Sequence, residues 1–381
     1  MRHLNPGVQR FSTLDAKQRA IALLEDPRFE TQDAAGTLLL GRGVISGCAV
    51  QVAATDRRIA GGSFGVAESD ALAHRLHLAT REQQPVLLIL DSAGARIDAG
   101  LPALGAFRRL YAAALQARVA GLPMIALIGR DCFGGASMLA MLCGARIYTQ
   151  SSRLAMSGPG IVEATAGKAA FDASKTAAVR KLMGAQARAR IDSAAVLCDD
   201  ATDDVRPALL AALATAHAPV TPEVHHRKLR ERLDEAGVAV DGGEHDFAAG
   251  KAVGAAACWA LAHRFIDEGG NMSPVLELDS PGQAATVLDE KLLLSEYVAH
   301  LALCIAAARA TGRETNLRIT GEAAGGIYVA LAAPAQCVEA ATGARVRLLP
   351  PAAEERVLGK AQPDASLQQA LDAGVVDAIV Q

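Results

Sequence analysis

Apolar residues recur at helical spacing through "DAKQRAIALLEDP" at 15–27, and Pro27 predicts the stop. The glycine-rich stretch "GRGVISGCAVQVAATDRRIAGGSFG" at 41–65 then alternates in the manner of short strands and turns. From about residue 69 the pattern changes to helix, strand, helix, strand: "SDALAHRLHLATREQ", "PVLLILDS", "AFRRLYAAALQARVAGL" ended at Gly121, and "PMIALIG". Continuous apolar strands between helices of this length predict an α/β layer structure with both sheet faces covered.

The second half repeats the order. "PVLELDSPG" reads as strand and turn, "DEKLLLSEYVAHLALCIAAARATG" as one long helix ended at Gly312, "TNLRITG" as a strand, "AAGGIYVALAAP" as a glycine-opened helix and "ARVRLLPP" as a closing strand. Asp91 to Gly134 spans 43 residues and Asp279 to Gly325 spans 46, so order, spacing and residue type together indicate an internal duplication. Residues 199–250, with "DDATDD" and "HAPVTPEVHHRKLRERLDEAG", have the composition of a connector. The boundary falls near 220, giving domains 1–220 and 221–381, a division that a chain of 381 residues can support.

Composition narrows the function. Hydrophobic residues are 51% and aromatics 3%, so the apolar surface is mostly Ala, Leu and Val, suited to close-packed helices on a buried sheet. No apolar run is long enough to span a bilayer, and the start "MRHLNPGVQRF" lacks a signal-peptide core, so a cytoplasmic protein is expected. Seven cysteines without a C-x-x-C argue against a disulfide framework and a zinc ribbon, and a net charge of -3 without a basic stripe argues against nucleic acid.

Each repeat pairs two glycine turns: "DSAGAR" with "CFGGASMLAMLCG", and "DSPGQ" with "EAAGGIYVALAAP". The second turn of each pair opens an apolar helix, whose N-terminus carries unpaired N–H groups and partial positive charge, and glycine lets a ligand approach that backbone. Two N–H groups aimed at one point stabilise an oxygen that becomes negative, as a thioester oxygen does when an enolate forms beside it.

These residues resemble the crotonase/carboxyltransferase superfamily over nearly the whole chain. "GGASMLAMLCGARIY" is similar to the superfamily's second oxyanion-hole turn and following helix, "SAGARID" to its first hole turn, and "SRLAMSGPGIVEATAG" to the stretch after the core helix. The resemblance implies an α/β fold of two crotonase-like (ClpP/crotonase, carboxyltransferase) domains of the β-β-α superhelix type. It also implies an oxyanion hole from the N–H groups of Gly135 and of Ala93 or Gly94, with Ser92, Arg96 and Gly134 binding substrate beside it. By the same resemblance Gly282 and Gly326 form a second hole, with Gly325 binding substrate beside it. Pro281 has no N–H, so the donor in that turn is Gly282 or Gln283.

In order and length the chain resembles the β and γ subunits of biotin-independent malonate decarboxylase fused into one. That implies decarboxylation of a malonyl thioester carried on coenzyme A or on the phosphopantetheine of an acyl carrier protein. No covalently bound cofactor, metal, nucleic acid or membrane is implied, and a homodimer is expected. A biotin-dependent acyl-CoA carboxyltransferase and a non-catalytic scaffold remain the alternatives. The sequence departs from the D-S-G-G-A-R element in reading Ser-Ala-Gly, and "ARIDAG" replaces Arg-x-Gln-Glu-Gly. It has neither a four-cysteine zinc element nor a Met-Lys-Met biotin site.

Other candidates carry less. Ser137 is not in a G-x-S-x-G elbow and reads as capping or packing. His225 and His226 lie in the charged connector, where exposure is the default, and His245, Tyr328 and Glu322 are minor candidate acids. The basic run "HHRKLRER" at 225–232, with Arg227, reads first as a solvated helix face and second as a phosphate or carrier contact.

Overall fold

The structure is a computed structural model that describes residues 9–30, 36–216, 221–240, 247, 250–267, 274–360 and 363–381. His245 lies outside the described residues. In the first half, strands β1 (Glu25–Glu30), β2 (Leu38–Ile45), β3 (Cys48–Thr55), β4 (Val86–Ser92), β5 (Met124–Phe133), β6 (Ala145–Thr149), β7 (Arg153–Ala155) and β8 (Ala195–Cys198) form one sheet. Its order is β1-β2-β3-β4-β5-β6-β8, with β7 also on β5. The first two pairings are antiparallel and the others parallel. The second half holds β9 (Val275–Ser280), β10 (Asn316–Ala324), β11 (Val338–Ala341), β12 (Arg345–Arg347) and β13 (Ala378–Val380), all parallel.

The duplication is visible in the pairings. Strand β5 carries β4 on one edge and β6 then β7 on the other, and β10 carries β9, β11 and β12 in the same way. The small details recur too. Asp91 accepts the backbone N–H of Asp131 at 3.1 Å, and Asp279 accepts that of Glu322 at 2.7 Å.

One hydrophobic core joins the halves. Phe107 and Met138 from the first pack in it with Leu294, Val298, Ile327 and Tyr328 from the second. Polar ties also cross: the buried Arg188–Glu290 pair at 3.2 Å, Arg108 to Asp377 at 2.7 Å, and the Ser137 and Ser295 hydroxyls at 2.7 Å.

Several boundaries differ from the sequence expectation. The first helix, capped by Asp15, ends at Leu23, and Pro27 sits in the edge strand β1, where its missing N–H breaks no central ladder. The long second-half helix is two, Val287–Lys291 and Leu294–Ala310, parted at Leu293 with φ 64°. The 199–250 segment contains the helices Thr202–Thr215 and Pro222–Glu235, and a further strand, β13, follows β12 in the chain and ends the order β12-β10-β11-β13 at the opposite edge. Among the described residues no helix is long and apolar enough to cross a membrane.

Candidate oxyanion-binding site

The chain turns sharply after β4. The Gly94 N–H donates to the Ser92 hydroxyl at 3.0 Å, and the Ala93 N–H to the Gly61 carbonyl at 2.9 Å. Phe64 donates to the Gly94 carbonyl and accepts from Arg96, each at 2.8 Å. This parallel bridge turns the Ala95 N–H away from Phe64, and among the described residues that N–H has no acceptor. Gly94 has φ 103°, and a Cβ there would stand 2.9 Å from the Phe133 carbonyl and 3.4 Å from the Gly135 nitrogen, so only glycine lets the two turns meet. The Gly134 N–H is held by Ala155 at 3.2 Å, while Gly135 begins a helix and its N–H has no acceptor among the described residues.

The second half reproduces the arrangement with one difference. The Gly282 N–H donates to the Ser280 hydroxyl at 3.1 Å, Gly282 has φ 112°, and a bridge to Val253 plays the part of Phe64. Position 283, however, is glutamine where the first repeat has Ala95. Its side-chain oxygen accepts the Gly326 N–H at 2.9 Å. One turn pair is open and its copy is filled by the chain itself.

Both pairs face one cavity of about 570 Å³ within a single chain. Ala95, Gly134 and Gly135 line it from one side and Gln283, Gly325 and Gly326 from the other. The rest of the wall is largely apolar, with Leu104, Phe107, Met138, Met156, Val329 and Leu348. Asp98 is the one carboxyl on this wall among the described residues.

The structure gathers most of the residues named from sequence but changes their roles. Ala93, Gly94 and Gly282 have their N–H groups bound within the protein, so the free donor of the first turn is Ala95. The Ser92 hydroxyl is buried and staples its own turn. Arg96 lines the cavity and reaches Glu68 at 2.7 Å and the Ser63 carbonyl at 3.1 Å, which anchors the 63–68 segment. Burial alone would raise the Glu68 carboxyl, but bonds from Arg96, its own backbone and Thr37 hold it below the usual range. Ser137 binds the Gly134 carbonyl at 2.7 Å, Tyr328 the Val375 carbonyl at 2.5 Å, and Glu322 pairs with Arg345 at 3.1 Å.

The two glycines that open the helices are not equivalent as mutation sites. A Cβ at Gly135 would lie 2.5 Å from the buried Phe107 ring, whereas one at Gly326 would meet the flexible ends of Met156 and Met138. Gly135→Ala is therefore expected to cost about 1–3 kcal/mol through overpacking, and Gly326→Ala much less. Thermal unfolding of both variants followed by circular dichroism checks the order.

The connector histidines are not exposed. His226 is buried, stacks on Trp259 and bridges His300 at 3.2 Å and His263 at 3.1 Å, while His225 lies 3.4 Å from Glu296. Burial pushes His226 down to about 4 and lowers His225 and His300. The unfolded chain therefore takes up protons below about 6.5 that the folded chain refuses, so this stability is present above pH 6.5 and is lost as pH falls toward 4. Glu290 has the opposite sign, because burial raises its carboxyl to about 7 and its contribution is lost as pH rises from 4.5 to that value. Glu290→Gln removes the opposing carboxyl and leaves the imidazoles, so the urea midpoint of that variant is expected to be lower at pH 5 than at pH 7.5. An equal or higher midpoint at pH 5 would contradict the network.

Residues 18–194 match the carboxyl transferase domain, and residues 248–372 match the malonate decarboxylase gamma subunit. The methylmalonyl-CoA carboxyltransferase 12S subunit of Propionibacterium freudenreichii subsp. shermanii is 31% identical over 132 residues, 34% of this chain and 25% of that protein. The acetyl-coenzyme A carboxylase carboxyl transferase subunits beta/alpha of Parafrankia sp. (strain EAN1pec) are 34% identical over 129 residues, 34% of this chain and 21% of theirs. The chain thus spans about a quarter of the length of these curated relatives. A chain of the Pseudomonas malonate decarboxylase MdcD-MdcE hetero-dimer superposes with a TM-score of 0.50 at 28% identity, covering 60% of this chain and 97% of that one. A chain of the Pseudomonas malonate decarboxylase hetero-tetramer in complex with malonate gives 0.50 and 28%, covering 55% and 84%. The chain carries a carboxyl transferase domain followed by a malonate decarboxylase gamma-like domain, in one fused, β/γ-like polypeptide.

Proposed function

We propose that the chain decarboxylates a malonyl thioester, or a close analogue, to the corresponding acyl thioester. The observation that carries this reading is the pair of N–H groups of Ala95 and Gly135, without acceptors among the described residues, at the wall of the shared cavity. The thioester oxygen binds between them. The bond from the α-carbon to the carboxylate breaks, its electron pair becomes the enolate, and the negative charge moves onto the oxygen the two donors hold. Carbon dioxide leaves neutral, and a proton reaches the α-carbon from water. One such donor is worth on the order of 10²- to 10³-fold in rate, so backbone groups carry much of the catalysis. The apolar walls assist, because a carboxylate removed from water is destabilised more than the dispersed charge that follows.

The alternative is transfer of the carboxyl group to biotin, supported by the relatives that are carboxyl transferases. It calls for a second carbonyl oxygen to be held opposite the first, and Gln283 already occupies the Gly326 N–H. That filling favours the one-substrate reaction. The carrier is coenzyme A or the phosphopantetheine of an acyl carrier protein. Because both turn pairs line one cavity in one chain, the site itself does not require a homodimer. Mass spectrometry of malonyl-CoA and of malonyl-carrier protein, each incubated without ATP, biotin or metal, tests the reading. Loss of carbon dioxide from one of them supports it, and two unchanged substrates refute it.

A further inference from the structure

We propose that the side-chain amide of Gln283 converts the second hole into a subsite for the substrate's free carboxylate, with Nε2 as its donor. Internal comparison supplies the first argument. Ser92 matches Ser280 and Gly94 matches Gly282 in position and bonding, and Gly135 matches Gly326 in position, while position 95 against 283 is alanine against glutamine. The oxygen placed on Gly326 by Gln283 stands where a bound carbonyl oxygen would stand in the open copy.

Hydrogen-bond chemistry supplies the second argument. A backbone N–H is only a donor, so the Gln283 atom facing Gly326 is Oε1 and the amide nitrogen points elsewhere. Nε2 has no protein partner among the described residues and is not among the sealed polar atoms, while the residue lines the cavity. Two N–H donors thus remain for an incoming ligand there, across from the open hole.

The surroundings decide which ligand group they take. Arg96 and Ser63 on the same wall are bonded to each other and to neighbours, Asp98 repels an anion, and Arg356 is 53% exposed and lies 3.8 Å from Glu163. Gln283 is the neutral donor opposite the thioester position. Neutrality suits a departing carboxylate, because a full cation would stabilise the ground state and oppose the movement of charge toward the thioester oxygen.

This assignment rests on the malonyl-thioester reading but is tested apart from it, by binding. Amide-for-thioester analogues of malonyl-CoA and acetyl-CoA are titrated calorimetrically into the parent protein, Gln283→Ala and Gln283→Glu, with melting curves confirming folding. Both variants are expected to weaken the malonyl amide about 10- to 100-fold, the range of a hydrogen bond to a charged group, and the acetyl amide less than about twofold. Gln283→Glu separates donation from filling, since its carboxylate still accepts the Gly326 N–H but offers the ligand no donor. Equal losses for the two ligands, or none, overturn the subsite. If the parent decarboxylates malonyl-CoA while neither variant discriminates the analogues, the subsite alone falls. If Gln283 discriminates them and no carbon dioxide is ever formed, the subsite stands and the decarboxylase reading falls.

Discussion

Ala95→Gln is expected to fold like the parent and to lose decarboxylation by about 10²- to 10³-fold at saturating malonyl thioester, the cost of one oxyanion donor. The protein's own second half shows the effect. A glutamine at the matching position there swings its oxygen onto the Gly326 N–H at 2.9 Å, and Gly135 presents the equivalent N–H to position 95. The added side chain would fill cavity space rather than core, because Ala95 lines the cavity and is only partly buried. Initial rates and melting temperature measured together decide the matter. A folded variant with a near-parent rate would show that the Ala95 and Gly135 donors do not bind the reacting oxygen.

Glu290→Ala is expected to cost about 3–5 kcal/mol of stability and to damage the cavity wall. Glu290 and Arg188 are both fully buried, and the pair ties the second half to the first at 3.2 Å. The same carboxyl accepts the Ser157 N–H at 2.5 Å, beside Met156 and Gly158 in the cavity lining. Removing it leaves the guanidinium of Arg188 buried without its partner and frees the 156–158 segment. Glu290→Gln keeps the shape and one acceptor, so it should recover part of the loss. Urea unfolding of the two variants checks the ranking, and an Ala variant as stable as the parent would mean the pair is dispensable.

Much of the architecture was legible because apolar strands and glycine turns leave local marks. "PVLLILDS" and "PVLELDSPG" are strands for the same reason, and their shared register on β5 and β10 follows from the duplication. Hydrogen-bond direction was not legible. Whether the free donor in "DSAGAR" is Ala93, Gly94 or Ala95 depends on Gly61 and Phe64, which reach the turn from distant chain positions. The filling of the second hole was also missed, although its signal stood in the sequence as Gln283 against Ala95 in an otherwise matched pair. The histidines were misread because "HHRKLRER" is amphipathic: His226 and Leu229 face the core helices while Arg227 and Lys228 face solvent. Composition alone reports the charge of such a helix and hides its buried side.

In the proposed reaction one hole, in the first half, releases carbon dioxide without a carboxyl acceptor. Malonyl-CoA and malonyl-carrier protein, each carrying ¹³C in its free carboxylate and incubated with the pure protein and no biotin, ATP or metal, test it most directly. Labelled carbon dioxide is expected from one of them, in an amount equal to the unlabelled acetyl thioester formed. Label that stays on the thioester until biotin is supplied, and is then found on biotin, would contradict it.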